Sequence, residues 1–159
     1  DEPGIPAFAA KAQSRNFSSV DTARIAFTSA GTVPSSQVIA DWSTQEWVRF
    51  IDGLGTTQPL DTLATLDKAF HFTGTPNGEI AMRWYPLAIR SGYEPANEAA
   101  AAFIERVGRR KLILPIYAEL VKTPKGLELA KQAFEKAKPG YHPITTASVQ
   151  DMLAKAEAK

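Results

Sequence analysis

The sequence predicts an all-α fold of about eight to nine helices. No segment alternates apolar and polar residues over the length of a strand, whereas apolar residues recur every three or four positions along most of the chain. Two pairs of prolines add a repeat, because Pro86 and Pro95 are followed about 29 residues later by Pro115 and Pro124. A period of this length is typical of helical hairpins that stack into a curved layer.

The first 17 residues contain Pro3, Gly4 and Pro6 and show no helical period, so residues 1–17 are predicted to be an extended lead-in from a preceding domain. Residues 18–159 are predicted to form a single helical domain. The chain does not start with methionine, and its first residues lack the basic and apolar regions of a signal peptide. This start indicates a mature form or a piece of a longer protein.

Caps and glycines bound the first two predicted helices. The first spans 18–30, ends at Gly31 and is followed by a loop around 33–36. The second starts at Ser43, which forms an S-x-x-E capping box with Glu46. Its apolar face is predicted from residues at helical spacing, namely Trp47, Phe50, Ile51 and Leu54.

Three helices are predicted in the middle of the chain. One follows Pro59 and ends before Gly74, a second is capped by Asn77 and ends at Gly92, and a third has Pro95 in its first turn. Apolar stripes define the faces that we expect to be buried. Their residues are Leu63, Leu66, Phe70, Ile80, Trp84, Leu87, Ala88, Ala96, Ala100, Phe103, Ile104 and Val107.

The last three predicted helices begin near residue 112, at Pro124 and near Thr145. The segment 112–121 is apolar nearly all round, which is typical of a helix buried between neighbours. Prolines at 86 and 115 fall inside their helices, where each removes a backbone hydrogen bond and favours a kink.

Composition excludes several kinds of function. The 18 basic and 17 acidic residues leave a net charge of +1, which provides no global field to attract nucleic acid or an anionic membrane. No apolar run reaches the length of a membrane span. The absence of cysteine excludes disulfides, thiolate catalysis and cysteine-based zinc sites, but it does not identify the compartment.

Three consecutive cations, Arg109, Arg110 and Lys111, lie at a predicted helix start. The partial positive charge of the helix start disfavours each cation there by roughly 0.3–1 kcal/mol. The backbone N–H groups of the same turn bind anions readily. The cluster therefore indicates either a site for a carboxylate or phosphate or an ordinary solvated turn, and residue types alone favour the solvated turn.

No catalytic apparatus is found in the sequence. His71 and His142 are far apart and lack metal-ligand spacing, so both are expected to be structural or exposed. Phosphate-binding glycine motifs and a nucleophile elbow are absent. Arg83 is either solvated or the partner of a neighbouring carboxylate. Two carboxylate pairs are expected to be solvated, Asp61 with Asp67 and Glu94 with Glu98. Three tryptophans are expected in the core, namely Trp42, Trp47 and Trp84.

Three short runs, in order along the chain, resemble the carboxy-terminal helical domain of leukotriene A4 hydrolase and its bacterial aminopeptidase relatives. The runs are Asn77-Gly78-Glu79-Ile80-x-x-Arg83-Trp84, Gly108-Arg109-x-Lys111-x-x-x-Pro115 and Tyr141-His142-Pro143-Ile144-Thr145. The lead-in at 3–6 also resembles the segment that enters that domain. The resemblance implies a right-handed α-α superhelix packed against an upstream zinc peptidase domain, which removes amino-terminal residues from short peptides.

The zinc ligands of that family lie on H-E-x-x-H and a downstream Glu, and none of these is present here. The resemblance therefore implies zinc in the parent enzyme, but no cofactor, metal ligand or catalytic residue in this chain. Its partners would be the upstream peptidase domain and a short peptide. The family's G-R-x-K pair recognises the free carboxylate of the substrate, which implies this role for Arg109 and Lys111 and leaves Arg110 in solvent.

Two other classes of function stay open. One is a helical-repeat scaffold whose concave face binds a protein. The other is a nucleic-acid binder built on Arg106 and the cations at 109–111, which the low net charge and the lack of neighbouring aromatic residues disfavour. The natural substrate, epoxide hydrolase activity and the choice between cytoplasm and periplasm are also open.

Overall fold

The computed structural model describes the backbone of residues 7–158 and the side chains of residues 17–158. All regular structure in this part of the chain is helical, which confirms the all-α prediction. Short 3-10 turns lie at Glu94–Ala96 and Lys138–Gly140. The α-helices of the described residues are α1 (Ala7–Ala30), α2 (Ser36–Ile39), α3 (Thr44–Asp52), α4 (Leu60–Phe70), α5 (Gly78–Ser91), α6 (Asn97–Arg106), α7 (Arg110–Leu120), α8 (Pro124–Ala137) and α9 (Pro143–Glu157).

The start of the chain differs from the prediction. Helix α1 begins at Ala7, so the extended conformation expected over 1–17 is wrong from residue 7 onward, while residues 1–6 lie outside the described residues. The predicted loop around 33–36 also differs, because the single helical turn α2 begins at Ser36. The Ser35 hydroxyl accepts the Val38 N–H and caps this turn.

The chain divides into two compact units, one that ends at Gly55 and one that begins at Thr56. In the first unit α3 packs against α1. The Arg49 guanidinium donates two hydrogen bonds to the Asp21 carboxylate, at 3.0 and 2.9 Å. The predicted capping box of α3 is present, since the Ser43 N–H donates to Glu46 Oε2 at 3.1 Å.

Aromatic side chains pack together in the first unit. The ring of Trp42 lies 4.8 Å from that of Trp47 and 5.6 Å from that of Phe50. Phe50 is fully buried, whereas both tryptophans are partly exposed. The expected core position is therefore confirmed for Trp84 of the second unit, which is fully buried, and only in part for the other two.

The second unit is a stack of helical hairpins. Helix α5 packs against α7, α6 against α8, and α7 in turn against α9, so alternate helices form two layers. The hairpins α5–α6 and α7–α8 correspond to the proline repeat, with Pro86 inside α5 and Pro115 inside α7. The predicted hairpin repeat is thereby confirmed within this unit. The prediction of one domain over 18–159 stays a prediction.

Asp67 anchors the loop between α4 and α5. Its carboxylate accepts the Thr73 N–H at 2.8 Å, the Thr73 hydroxyl at 2.7 Å and the Tyr93 hydroxyl at 2.9 Å. Burial and the Asp67 carboxylate raise the pKa of Tyr93 to about 12. The expectation that Asp67 is a solvated surface residue is wrong, because these three donors replace water. The anchored loop leads directly to the start of α5.

Candidate functional site

The starts of α5 and α7 lie side by side in the second unit. A Cβ atom built on Gly78 would lie 2.8 Å from Leu112 Cδ1, which shows how closely the two first turns approach. Asn77 fixes the start of α5, since its Oδ1 accepts the N–H groups of Glu79 and Ile80 at 3.0 and 3.3 Å. Helix starts carry partial positive charge, so this edge of the hairpin stack favours anions.

Arg109 is the N-cap residue of α7, as the sequence predicts from the position of the basic cluster. Its carbonyl oxygen accepts the N–H groups of Leu112 and Ile113, at 2.9 and 3.2 Å. The Arg109 side chain is exposed, and it makes no hydrogen bond or ion pair with any residue that the structure describes. Its guanidinium therefore retains all five N–H donors for a ligand or for water.

Lys111 is the second residue of α7 and has a carboxylate partner on α5. Its Nζ donates to Glu79 Oε1 at 3.0 Å, while Arg83 Nη1 donates to Glu79 Oε2 at 2.9 Å. The ambiguity at Arg83 is thereby resolved, because it is the partner of a neighbouring carboxylate. Lys111 is a little more than half exposed, at 55% of its side-chain surface. The two residues of the G-R-x-K pair therefore differ, because Lys111 is paired with Glu79 while Arg109 has no partner among the described residues.

Arg110 contacts a side chain of α9. Its Nε and Nη2 each lie 3.3 Å from the hydroxyl of Ser148 on α9. The side chain is exposed, so the contact adds little to stability. The expectation that Arg110 is surface is confirmed, with the addition of this hydroxyl partner.

The three runs that carry the family resemblance meet at this edge. Glu79 of the first run contacts Lys111 of the second, and a Cβ on Gly108 would lie 3.6 Å from Cδ1 of Tyr141 in the third. The buried Tyr141 hydroxyl donates to the Ile104 carbonyl. The Tyr117 hydroxyl lies 3.0 Å from the Tyr141 hydroxyl. Burial raises the pKa of both tyrosines, so both hydroxyl groups stay neutral.

Glu79 is the member of this site that the sequence did not single out. Its pKa is held below the ordinary value by the hydrogen bond from Lys111 first and by that from Arg83 second. The available sequence signal was an acidic residue four positions before Arg83 on a helix. The pairing with Lys111 has no local signal, since the two residues are 32 positions apart.

We expect a carbon-detected NMR titration of this chain to give a Glu79 pKa below the ordinary value of a glutamate. The Lys111→Met substitution removes the larger cause and should raise the Glu79 pKa towards its ordinary value. A Glu79 pKa that does not respond to Lys111→Met would contradict the ion pair.

Both histidines lie at helix ends. His71 follows α4 in the left-handed conformation, with φ of 54°, and Nδ1 of His142 accepts the Ile144 N–H at the start of α9. Among the side chains that the structure describes, no three His, Asp or Glu residues are grouped to hold a metal ion. Within the described part of the chain, no helix is long and apolar enough to cross a membrane.

Comparison with known proteins places residues 42–153 within one family model, described as leukotriene A4 hydrolase, C-terminal. Leucine aminopeptidase 2 of Neurospora crassa is 30% identical over 128 residues, which are 79% of this chain and 19% of that protein. Leukotriene A-4 hydrolase of Xenopus laevis is 27% identical over 113 residues, 70% of this chain and 19% of that protein.

The solved structure of native yeast LTA4 hydrolase has the same fold over 96% of this chain and 27% of its own, with a TM-score of 0.70 and 20% identity. This match supports the predicted helical fold. The chain spans about a fifth of the length of the curated relatives that it matches.

Proposed function

The chain belongs to the leukotriene A4 hydrolase C-terminal family, and we propose that it serves as the helical domain of a zinc aminopeptidase that binds the free carboxylate of short peptides. The named relatives include leucine aminopeptidases and leukotriene A-4 hydrolases. Catalysis and zinc belong, in this proposal, to an upstream peptidase domain of the same protein, and this chain alone is not catalytic. No residue of this chain is assigned to the metal.

One observation carries the proposal. The exposed Arg109 guanidinium has no partner among the described residues, and it stands at the start of α7 beside a second cation, Lys111. A planar guanidinium matches the two oxygens of a carboxylate, and a lysine adds a point charge. The adjoining helix start favours the same negative charge. The site is therefore suited to a peptide carboxylate.

A fixed carboxylate site would select peptides by their length. If Arg109 and Lys111 hold one end of a peptide while the peptidase domain holds the other, only short peptides place the scissile bond at the reacting centre. The helical domain thus contributes to specificity by holding the far end of the substrate. Longer peptides would lose either the carboxylate contact or the alignment of the scissile bond.

The substrate itself provides the test. We expect the protein that includes the upstream domain to cleave trialanine with a kcat/KM about 30-fold higher than trialanine amide, because amidation removes the charge but keeps one acceptor oxygen. The measurement is the initial rate of release of free alanine from each peptide. An uncharged chromogenic alanine anilide is a second substrate without a free carboxylate, against which trialanine is also compared. Equal kcat/KM values for trialanine and its amide would contradict the carboxylate site.

A further inference from the structure

Glu79 joins the two helices that carry the proposed site. Its Oε1 accepts from Lys111 and its Oε2 accepts from Arg83, so each carboxylate oxygen has a cationic donor. Arg83 Nη1 also donates to the Glu79 backbone carbonyl at 3.0 Å, which ties the guanidinium to the first turn of α5. A carboxylate in the first turn is also favoured by the helix dipole. Glu79 is therefore held in place from several sides.

Lys111 has donors left after this contact. An ammonium group has three N–H donors, and Glu79 is the one acceptor that Lys111 contacts in the described part of the chain. More than half of the Lys111 side chain is exposed, and its two other donors have no acceptor among the described residues. Lys111 is able to donate to Glu79 and to an incoming carboxylate at the same time.

We propose that Glu79 is the positioning residue of the carboxylate site: it fixes the Lys111 ammonium so that the remaining donors face the peptide carboxylate. This inference rests on the proposed function of Arg109 and Lys111. Without Glu79, the lysine side chain would have to be ordered by the peptide itself, and the lost rotamer freedom would weaken binding.

The charge of Glu79 also repels an incoming carboxylate, but this effect is the smaller one. Lys111 and Arg83 neutralise both of its oxygens, and the group Arg83, Glu79 and Lys111 carries a net charge of +1. The repulsion acts across an exposed surface, where water and salt screen it. The ordering of Lys111 involves a direct contact at 3.0 Å, which solvent does not screen to the same extent.

The test is a double-mutant cycle with Glu79→Gln and Lys111→Met in the protein that includes the upstream domain. We expect Glu79→Gln to raise the KM for trialanine about fivefold, with kcat within twofold of wild type, and to leave trialanine amide unaffected. In the Lys111→Met background, Glu79→Gln should change the KM for trialanine less than 1.5-fold, because the group that it positions is gone.

Glu135→Gln is the matched control, since Glu135 pairs with Lys138 at 3.3 Å on an exposed part of the same unit. It should leave both substrates unaffected. A lower KM for trialanine in Glu79→Gln, which would mark Glu79 as a competitor, would overturn the inference. So would an equal effect of Glu79→Gln in the two backgrounds, which would mark a structural role.

The same data separate this inference from the proposed function. If Lys111→Met raises the KM for trialanine selectively while Glu79→Gln does not, the carboxylate site stands and the positioning role fails. If Lys111→Met affects trialanine and its amide alike, the carboxylate site itself fails. Circular dichroism melting curves that match wild type keep a folding defect out of the comparison.

Discussion

We expect Arg109→Ala to lower kcat/KM for trialanine about 50-fold in the protein that includes the upstream domain. A hydrogen bond to a charged group contributes roughly 1.5–3 kcal/mol, which corresponds to about 10- to 150-fold in a rate constant. Arg109 is the unpaired cation of the proposed site among the described residues, so its removal would leave the peptide carboxylate with Lys111 alone. The effect on trialanine amide should stay within about threefold.

Arg110→Ala is the matched control for this variant. The two arginines are adjacent in sequence and both are exposed, but Arg110 is directed to Ser148 on α9. We expect less than a twofold change in kcat/KM for either substrate with Arg110→Ala. If Arg109→Ala reduced kcat/KM for trialanine and its amide equally, Arg109 would have a structural role. That outcome would contradict the proposed carboxylate site.

The sequence predicted the position of the basic cluster at a helix start better than the pairing of its side chains. The position of the cations at a helix start follows from local capping and periodicity, and the structure places Arg109 at the N-cap as expected. The pairing of Lys111 with Glu79 depends on the register between α5 and α7. Pro86 lies eight residues after the first residue of α5, whereas Pro115 lies five after that of α7. The proline repeat therefore predicted the stacked hairpins but not the alignment of their starts.

The errors at the beginning of the chain have a different cause. Residues 7–17 were expected to be extended because prolines precede them and no apolar period is evident, yet four of the first six are alanine, the residue with the highest helix propensity. Propensity was the informative signal in this segment. Helix α2 is a single turn and is too short to show any period, so only its Ser35 cap could have indicated it.

Asp67 shows why carboxylates are difficult to assign from sequence. Its residue type predicts a solvated side chain, although it lies one helical turn after the buried Leu63, at the edge of the apolar face of α4. Its donors come from beyond the helix, at Thr73 in the following loop and at Tyr93 after α5. Only the folded chain brings these groups together.

Gly126→Ala should produce the largest loss of stability among glycine substitutions in the described helices. A Cβ atom built on Gly126 would overlap the Leu120 carbonyl oxygen and would lie 2.9 Å from Thr123 Oγ1 and 3.0 Å from the Leu120 carbonyl carbon. These neighbours include backbone, which cannot rotate away as a flexible side chain would. We expect a loss of roughly 2–3 kcal/mol in the free energy of unfolding, as for overpacked cores.

The sign of this effect is informative because helix propensity acts in the opposite direction. Alanine is favoured over glycine within a helix by up to about 1 kcal/mol, so a net loss measures the clash at the turn between α7 and α8. Gly140→Ala is the matched control, since a Cβ there has no neighbour within 4 Å. Urea denaturation of this chain, followed by tryptophan fluorescence and circular dichroism, should show a lower midpoint for Gly126→Ala and almost no change for Gly140→Ala. Equal midpoints for the two variants would mean that the α7–α8 turn relaxes around an added methyl group, and that glycine is not required there.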